Sequence, residues 1–471
     1  MKKRGEITVF LSLVMVCILS LCMGLLESAR TAGARLYGQM AAESAAASVM
    51  SQYNRNLWDM YHVLFLEAES EAAIEQSFSE YLNDYLSQGN LYPMKMDEVR
   101  VTGKTSMTED GGRWLEESVL SYVKYRLPDV AGDWMDIVED VRDLENAGDF
   151  RELFQTYQEA EEQARDEARD QELSEESEYE IDWEKASMLD RLKELFQGDL
   201  LRFVLPKGKT VSRKYVSLSG IPSKKVKGQS DNSESGEPSA VRKLLVNEYC
   251  FLKYDSFLET CQRKLKPSRQ TLAYEQEYLL CGKSSDRENL AQTAEKLLTV
   301  RGSMNLLCLL QSPGKQAEAD TLALAVSGGN APVQSILSFF ILILWAFGEA
   351  VFDVKCLLNG GSVPFWKQES QWNVSLEQLL SLRFLDMNPN RINRAGYDYK
   401  GHLRVLFFLM KTEIRNARMM DVMQWNLRTL QEDFAVEDCI SKVELEVDIR
   451  EQHLFLTKSG YQRTVRAVGA Y

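Results

Sequence analysis

The chain has 471 residues and a mass of 53.8 kDa, a length that allows roughly two to four folded domains. Hydrophobic residues make up 45% and charged residues 27% of it, and the mean hydropathy is −0.30, which excludes collagen-like, fully disordered and polytopic membrane classes. Aspartate and glutamate total 70 against 55 lysines and arginines, a net charge of −15, so nucleic acid is not an expected partner.

Residues 7–26 form an uncharged apolar run, which we call the anchor segment. As a helix it would be about 30 Å long, which matches the hydrocarbon layer of a bilayer. Lys2, Lys3 and Arg4 precede it, whereas residues 27–35 mix one acid with two bases. This charge asymmetry predicts a single-pass plasma-membrane protein with residues 1–6 in the cytoplasm and the C-terminus outside. A cleaved signal peptide is the alternative, but no A-x-A-like cleavage site follows cleanly.

Small residues recur every four positions along this helix, at Ser20, Gly24, Ser28 and Ala32. Such a stripe lets a second helix approach closely in lipid, which predicts helix packing; the general frequency of small residues in membrane helices is the alternative explanation. Alanine-rich sequence follows, and no glycine or proline interrupts residues 39–70. The helix is therefore expected to continue to about residue 66.

The next part of the chain contains two blocks of opposite charge. Residues 129–199 hold 25 acids against 7 bases, and apolar residues recur there at spacings of three and four, which predicts amphipathic helices with a solvated acidic face. Residues 200–230 contain eight bases and no acid, and a Ser-, Gly- and Pro-rich stretch follows at 228–239. A flexible basic loop and a domain boundary are therefore expected at 201–240.

The C-terminal half has a helical pattern that changes to a strand pattern at its end. Apolar residues three and four apart predict helices over 241–265, 272–280, 287–310 and 402–430. Val443, Leu445, Val447 and Ile449 alternate with acids, which predicts a strand with one buried face. Residues 96–107 alternate likewise and are expected to pair with this terminal sheet. The predicted fold class is α+β, with a long N-terminal transmembrane helix that continues into a mostly helical extracytoplasmic domain carrying a small antiparallel β-sheet.

A second apolar run covers residues 336–347. It is about 18 Å long as a helix, which is short for a membrane span, so a buried core helix is preferred over membrane insertion. Glu349 and Asp353 follow four residues apart, on one helical face. One hypothesis is that these carboxylates act as a general acid–base pair or bind a metal ion. Ion pairing is the preferred hypothesis, with the candidate arginines Arg391, Arg394 and Arg404.

No motif for a known chemistry is complete in the sequence. His62, His402 and His453 lie outside zinc-hydrolase spacing, and Glu277 stands where a phosphate-binding loop ending at residues 282–284 needs its first glycine. Neither G-x-S-x-G nor G-x-G-x-x-G occurs. The eight cysteines have irregular spacing without C-x-x-C, which favours buried small side chains and leaves one or two disulfides open. No catalytic residue, cofactor or metal ion is predicted.

Segments from both ends of the chain resemble one protein family. They are residues 2–21, 25–30 and 41–66 near the N-terminus, and residues 247–254, 277–290, 344–367 and 419–428 in the C-terminal half. These segments look like an uncharacterised family of single-pass surface proteins from Gram-positive anaerobes. They are similar, more loosely, to the pseudopilin-like TadE and TadG components of tight-adherence (Flp) pilus systems. The resemblance implies a location and a gene neighbourhood rather than an established activity.

One feature departs from the pilin pattern. Pilin-like precursors are cut after a glycine at the cytoplasmic face and carry a glutamate five residues beyond the cut. Here Gly5 is followed directly by Glu6, and the position that should be acidic is Phe10. Processing at Gly5 and assembly as a major filament subunit are therefore not expected.

Together these patterns predict a non-enzymatic, membrane-anchored extracytoplasmic structural or assembly protein. It would be a pseudopilin-like accessory component of a tight-adherence pilus or related secretion system, with membrane partners bound through the N-terminal helix. The alternative is a cell-envelope enzyme or binding protein with a carboxylate site near Glu349 and Asp353. The expected division of the chain is a cytoplasmic stub (1–6), the anchor segment (7–26), a helical extension (27–66), a helical acidic region with one strand (67–200), a basic loop (201–240) and a helical core with the terminal sheet (241–471).

Overall fold

The computed structural model of the chain describes residues 3–87, 92–124, 200–206, 208–225, 240–261, 271–328, 331–389, 396–455 and 460–471, with short pieces between 152 and 192. This part of the chain is mostly helical and contains one small antiparallel sheet that includes the C-terminal strand, so the predicted α+β class is confirmed. The chain divides into two compact units. Unit 1 holds Met1–Tyr122 and Met420–Tyr471, and unit 2 holds Val123–Met419.

Unit 1 contains the sheet and four helices from the start of the chain. The helices are α1 (Lys3–Met50), α2 (Arg55–Tyr61), α3 (Glu71–Ser87) and α4 (Arg113–Val123), and the strands are β1 (Leu66–Glu67), β2 (Met94–Ser106), β3 (Cys439–Gln452) and β4 (Gly460–Ala470). Strand β3 pairs antiparallel with each of the other three. The expected pairing of residues 96–107 with the terminal sheet is therefore confirmed.

The alternation along β3 separates a buried face from a solvated one. Val443, Leu445, Val447 and Ile449 are at most 1% exposed, as the sequence pattern predicts. On the other face, Glu446 forms a cross-strand pair with Arg466 of β4 at 2.6 Å, and Asp448 forms one with Arg100 of β2 at 3.7 Å.

The C-terminal half of α1 packs on the buried face of the sheet. Its contact residues are mostly small: Ala34, Ala41, Ala42, Ala45, Ala46, Val49 and Met50. The helix backbone and β4 approach so closely that a Cβ added to Gly469 would lie 2.7 Å from Cγ of Met50 and 3.0 Å from the Ala46 carbonyl oxygen. The alanine-rich sequence therefore provides close helix–sheet packing as well as helix propensity.

Helix α1 ends at Met50, so the prediction of a helix to about residue 66 is wrong. After the helix, Tyr53 pairs with Leu66, and the Asn54 amide donates to the Phe65 carbonyl over 2.9 Å. The side chain of Asn54 then caps α2 by accepting from the Leu57 amide at 2.9 Å. Pairing with a segment further along the chain ends the helix here, without the glycine or proline that usually marks such a break.

The regular elements that the structure describes in unit 2 are helices, and irregular segments connect them. Its helices are α5 (Leu201–Val204), α6 (Pro222–Lys225), α7 (Ala240–Lys253), α8 (Glu275–Cys281), α9 (Asp286–Leu310), α10 (Pro313–Ser327), α11 (Ala331–Leu358), α12 (Leu376–Leu380) and α13 (Tyr399–Leu409). Helix α14 (Thr412–Arg428) includes the point where the chain returns to unit 1. Short 3-10 turns occur at Glu109–Gly112, Glu369–Gln371, Arg383–Leu385 and Val436–Asp438.

Helix α11 contains the second apolar run and forms the centre of unit 2. It packs against α9 and α10, and 83% of its most apolar window is buried within the protein. Trp345 is fully buried and donates its indole N–H to the Val374 carbonyl over 2.7 Å. These contacts are those of a core helix, which is the preferred prediction for residues 336–347.

The boundaries of the units differ from the expected division of the chain. The expected boundary at 201–240 falls inside unit 2, where residues 208–225 are mostly irregular and Tyr215 pairs with Ser285. Most of the acidic block at 129–199, and residues 226–239 of the basic loop, lie outside the described residues. The terminal sheet belongs to unit 1 with α1, because β3 and β4 bury their apolar face against that helix.

Candidate functional site

The N-terminal half of α1 carries apolar side chains that no described part of the chain covers. Phe10, Leu21 and Leu25 are 67, 64 and 63% exposed. The most apolar window of the helix has a mean hydropathy of 2.8 and is 0% buried. An apolar surface of this extent is typical of contact with lipid or with another protein. An N-terminal signal sequence also meets these criteria of length and composition.

The small residues Ser20, Gly24, Ser28 and Ala32 are all exposed on α1. A Cβ added to Gly24 would have no atom within 4 Å. The hydroxyl of Ser20 donates back to the Val16 carbonyl over 2.8 Å, so its polar group is satisfied within the helix. The stripe therefore offers a shallow surface to a neighbouring helix.

The two carboxylates on α11 lie in a buried ion cluster, which we define as Glu349, Asp353, Lys367 and Arg301. Asp353 is 1% exposed, and its Oδ1 accepts from Lys367 Nζ at 2.5 Å. Its Oδ2 accepts from Arg301 Nε at 3.1 Å and Nη2 at 3.0 Å, and from Asn305 at 3.1 Å. Burial alone would raise the pKa of Asp353, but the Lys367 and Arg301 charges outweigh it and lower that pKa.

Glu349 is held by the segment that follows the cluster lysine. Its Oε1 accepts from Lys367 Nζ and from the Asn373 side chain at 2.8 Å. Its Oε2 accepts from the backbone amides of Asn373 at 3.1 Å and Val374 at 2.8 Å. Every oxygen of both carboxylates is therefore engaged, which is the arrangement of a structural ion network.

Both carboxylates form ion pairs, but their cations are Lys367 and Arg301. The candidate Arg404 is not one of them. Arg404 pairs with Glu248, at 2.6 Å through Nε and 3.0 Å through Nη2. Arg391 and Arg394 lie outside the described residues. The actual cations come from α9 and from the loop after α11, which local helical spacing does not reveal.

A further buried carboxylate, Glu277 on α8, was not predicted. Its Oε1 accepts from the Phe257 amide at 2.9 Å and from the Tyr399 hydroxyl at 2.7 Å. Its Oε2 has no hydrogen-bond partner among the described residues. Burial raises the pKa of Glu277 to about 7, against the lowering effect of its hydrogen bonds. The burial of Glu277 could have been inferred from its position one helical turn before Leu280 and Cys281, which places it on an apolar helix face.

Residues 178–451 match the model for a family of unknown function, DUF5702. The match covers more than half of the chain. The chain belongs to this family. No curated protein and no solved structure matches it.

The part of this DUF5702 protein that matches the family model includes α7 to α14 and nearly all of β3. It therefore contains the buried ion cluster and Glu277, and it excludes α1, β2 and β4. The family match and the exposed apolar helix thus concern different parts of the chain.

The histidines and cysteines of the DUF5702 protein are separated in the fold. Among the described residues, no group of three or more His, Cys, Asp or Glu side chains is placed to hold a metal ion. His402 is buried, and burial lowers its pKa to about 4. All eight cysteines are free; Cys17 and Cys22 are exposed on α1, and five of the other six are buried, as the prediction of small apolar side chains implies.

Proposed function

We propose that this protein is a membrane-anchored, extracytoplasmic structural or assembly protein without catalytic activity. In this proposal the anchor segment spans the plasma membrane once, and residues 1–6 lie in the cytoplasm. The protein acts as a pseudopilin-like accessory component of a tight-adherence pilus or related secretion system. Its partners are other membrane proteins of that system, bound through α1.

The observation that carries the proposal is the division of α1 into two halves with different surroundings. The N-terminal half is apolar and exposed on all sides, while the C-terminal half packs its alanines on an antiparallel sheet. Burial of the exposed half in lipid would remove its apolar side chains from water. The favourable free energy of this transfer is roughly 25 cal/mol per Å² of apolar surface. A helix that is rigidly fixed to a folded domain and continues into a bilayer suits a protein that assembles with other membrane helices.

Protease accessibility in intact cells tests the topology. The basic loop around Lys224 and Lys225 is rich in trypsin sites, and we expect external trypsin to cleave it after cell-wall removal while a cytoplasmic marker protein stays intact. Cleavage only after membrane lysis would contradict the proposed orientation. Recovery of the full-length protein in the soluble fraction without detergent would contradict the anchor itself.

Substitution of Gly24 by isoleucine tests the packing stripe. The added side chain separates a neighbouring helix from α1, so we expect about fivefold to tenfold lower co-purification of partner proteins in mild detergent. Leu25→Ile is the matched control, because Leu25 is exposed next to the stripe and the change conserves volume. Equal recovery of partners with both variants would count against a packing role.

The buried ion cluster supports the non-enzymatic part of the proposal. A general acid or base needs an oxygen that a substrate can reach, whereas Glu349 and Asp353 are at most 1% exposed and already hydrogen-bonded. If the alternative of a carboxylate-based enzyme were correct, Glu349→Gln would abolish an activity while leaving the fold intact.

A further inference from the structure

The turn that follows β3 lies beside α1 at the point where the anchor segment ends. Glu27, the first residue after that segment, accepts from Leu454 N–H at 3.2 Å, and its Oε1 lies 3.0 Å from His453 Nδ1. Arg30 donates to the Gln452 carbonyl over 2.9 Å. These contacts hold residues 453–455, which we call the β3–β4 turn, against one turn of α1.

The electrostatics of this contact favour a fixed, ionised Glu27. Partial desolvation opposes ionisation, but the hydrogen bonds from His453 and Leu454, together with the Arg30 charge, lower the pKa of Glu27. The contact with the β3–β4 turn thus favours the ionised form of Glu27.

Two apolar side chains project from the β3–β4 turn into solvent. Leu454 is 53% exposed and Phe455 is 41% exposed. At the base of the turn, where Tyr461 pairs with Glu451, Arg35 lies 5.2 Å from the centre of the Tyr461 ring. Surfaces that enter the interfacial layer of a membrane typically combine such apolar side chains with arginine and tyrosine.

The height of the turn above the bilayer follows from its contact with Glu27. The polar interfacial layer is roughly 5–8 Å thick on each side of the hydrocarbon core, and a helix rises about 1.5 Å per residue. If the hydrocarbon core ends at Leu26, a group in hydrogen-bond contact with Glu27 lies within the interfacial layer. Leu454 and Phe455 thus lie at a depth where apolar side chains partition favourably.

We propose that the β3–β4 turn is a second membrane contact, in which Leu454 and Phe455 insert into the interfacial layer of the bilayer that α1 spans. The inference rests on the proposed function, because it requires the anchor segment to be in lipid. A single helix leaves unit 1 free to rotate about the helix axis, whereas a second contact away from that axis fixes its orientation. The sheet and the small-residue stripe would then face fixed directions relative to the membrane.

Photo-crosslinking in lipid tests this contact. The full-length protein is placed in nanodiscs of phosphatidylcholine and phosphatidylglycerol with p-benzoylphenylalanine in place of Phe455, and phospholipid adducts are measured by mass spectrometry after irradiation. Val468 is the matched control site, because it is 53% exposed on the same hairpin but about 27 Å further along β4, at roughly 3.4 Å per residue from Gly460. We expect at least about tenfold more lipid adduct at residue 455 than at residue 468.

A third site separates failure of this inference from failure of the proposed function. The same probe in place of Leu21 reports on the anchor segment. Lipid adducts at residue 21 with none above the residue 468 level at residue 455 would overturn the second contact and leave the anchor intact. Absence of adducts at both 21 and 455 would overturn the anchor and, with it, the inference. Adducts of residue 455 with another protein copy in place of lipid would also overturn the inference.

Discussion

Replacement of Glu277 by glutamine is expected to make unit 2 more stable at pH 8 while leaving its stability at pH 4 nearly unchanged. Burial raises the pKa of Glu277 from 4.5 to about 7. In this interval the folded state binds more protons than the unfolded state, so the stability of the wild-type protein falls as pH rises from about 4.5 to about 7. The shift corresponds to a free energy on the order of 3 kcal/mol. Glutamine keeps the oxygen that accepts from Phe257 and Tyr399 but cannot ionise.

Urea denaturation in mild detergent at pH 4 and pH 8, followed by circular dichroism, measures this effect. We expect the variant to exceed the wild type in unfolding free energy at pH 8 by up to about 3 kcal/mol. Glu259→Gln is the control, because the Glu259 side chain is 58% exposed and lies 3.9 Å from Lys400; it should change stability little at either pH. Parallel pH dependence of the wild type and the Glu277 variant would contradict the assignment of the pH effect to this carboxylate.

Replacement of Lys367 by methionine is expected to destabilise unit 2 by about 3–5 kcal/mol, because it leaves two buried carboxylates with one cation between them. Lys367 contacts both Glu349 and Asp353, and its side chain is 0% exposed. The measurement is the free energy of unfolding at pH 7. The double variant Lys367→Met with Glu349→Gln should recover part of the loss, because it removes the carboxylate charge that the loss of Lys367 leaves without a cation, whereas Asp353 keeps Arg301.

Lys104→Met is the matched control, because it makes the same substitution in an ion pair on the protein surface. Lys104 lies 2.9 Å from Glu71, and the two side chains are 48 and 55% exposed. We expect this variant to lose less than about 1 kcal/mol. Similar losses for the two lysine variants would show that burial of the cluster does not determine its contribution to stability.

Local sequence patterns predicted those strands and helices whose buried face follows from the spacing of their own apolar residues. The alternation at Val443 to Ile449 predicted a strand with one buried face, and β3 has that face. The length and flanks of residues 336–347 favoured a core helix, and α11 is buried. The four-residue spacing of Glu349 and Asp353 put them on one face, and both are buried.

Features that depend on residues distant in the chain were not predictable in this way. The cations of the ion cluster are Arg301, 52 residues before Asp353, and Lys367, 14 residues after it. Helix α1 ends at Met50 because the following residues pair with β1, not because of a local break signal. Glu277 Oε2, which has no hydrogen-bond partner within the part of the chain that the structure describes, owes its position to the packing of α8 against Phe257 and Tyr399.

The sequence by itself determined the apolar anchor segment, the α+β class and the faces of its strands, because hydrophobic periodicity within one element suffices to define them. The tertiary structure alone decided how the chain divides, since the terminal strands bury their apolar face on α1, at the other end of the sequence. It also decided which charges neutralise the buried carboxylates and that the β3–β4 turn lies beside Glu27. These contacts join residues that are remote in sequence, and their stability comes from burial and complementary charge that no local pattern encodes.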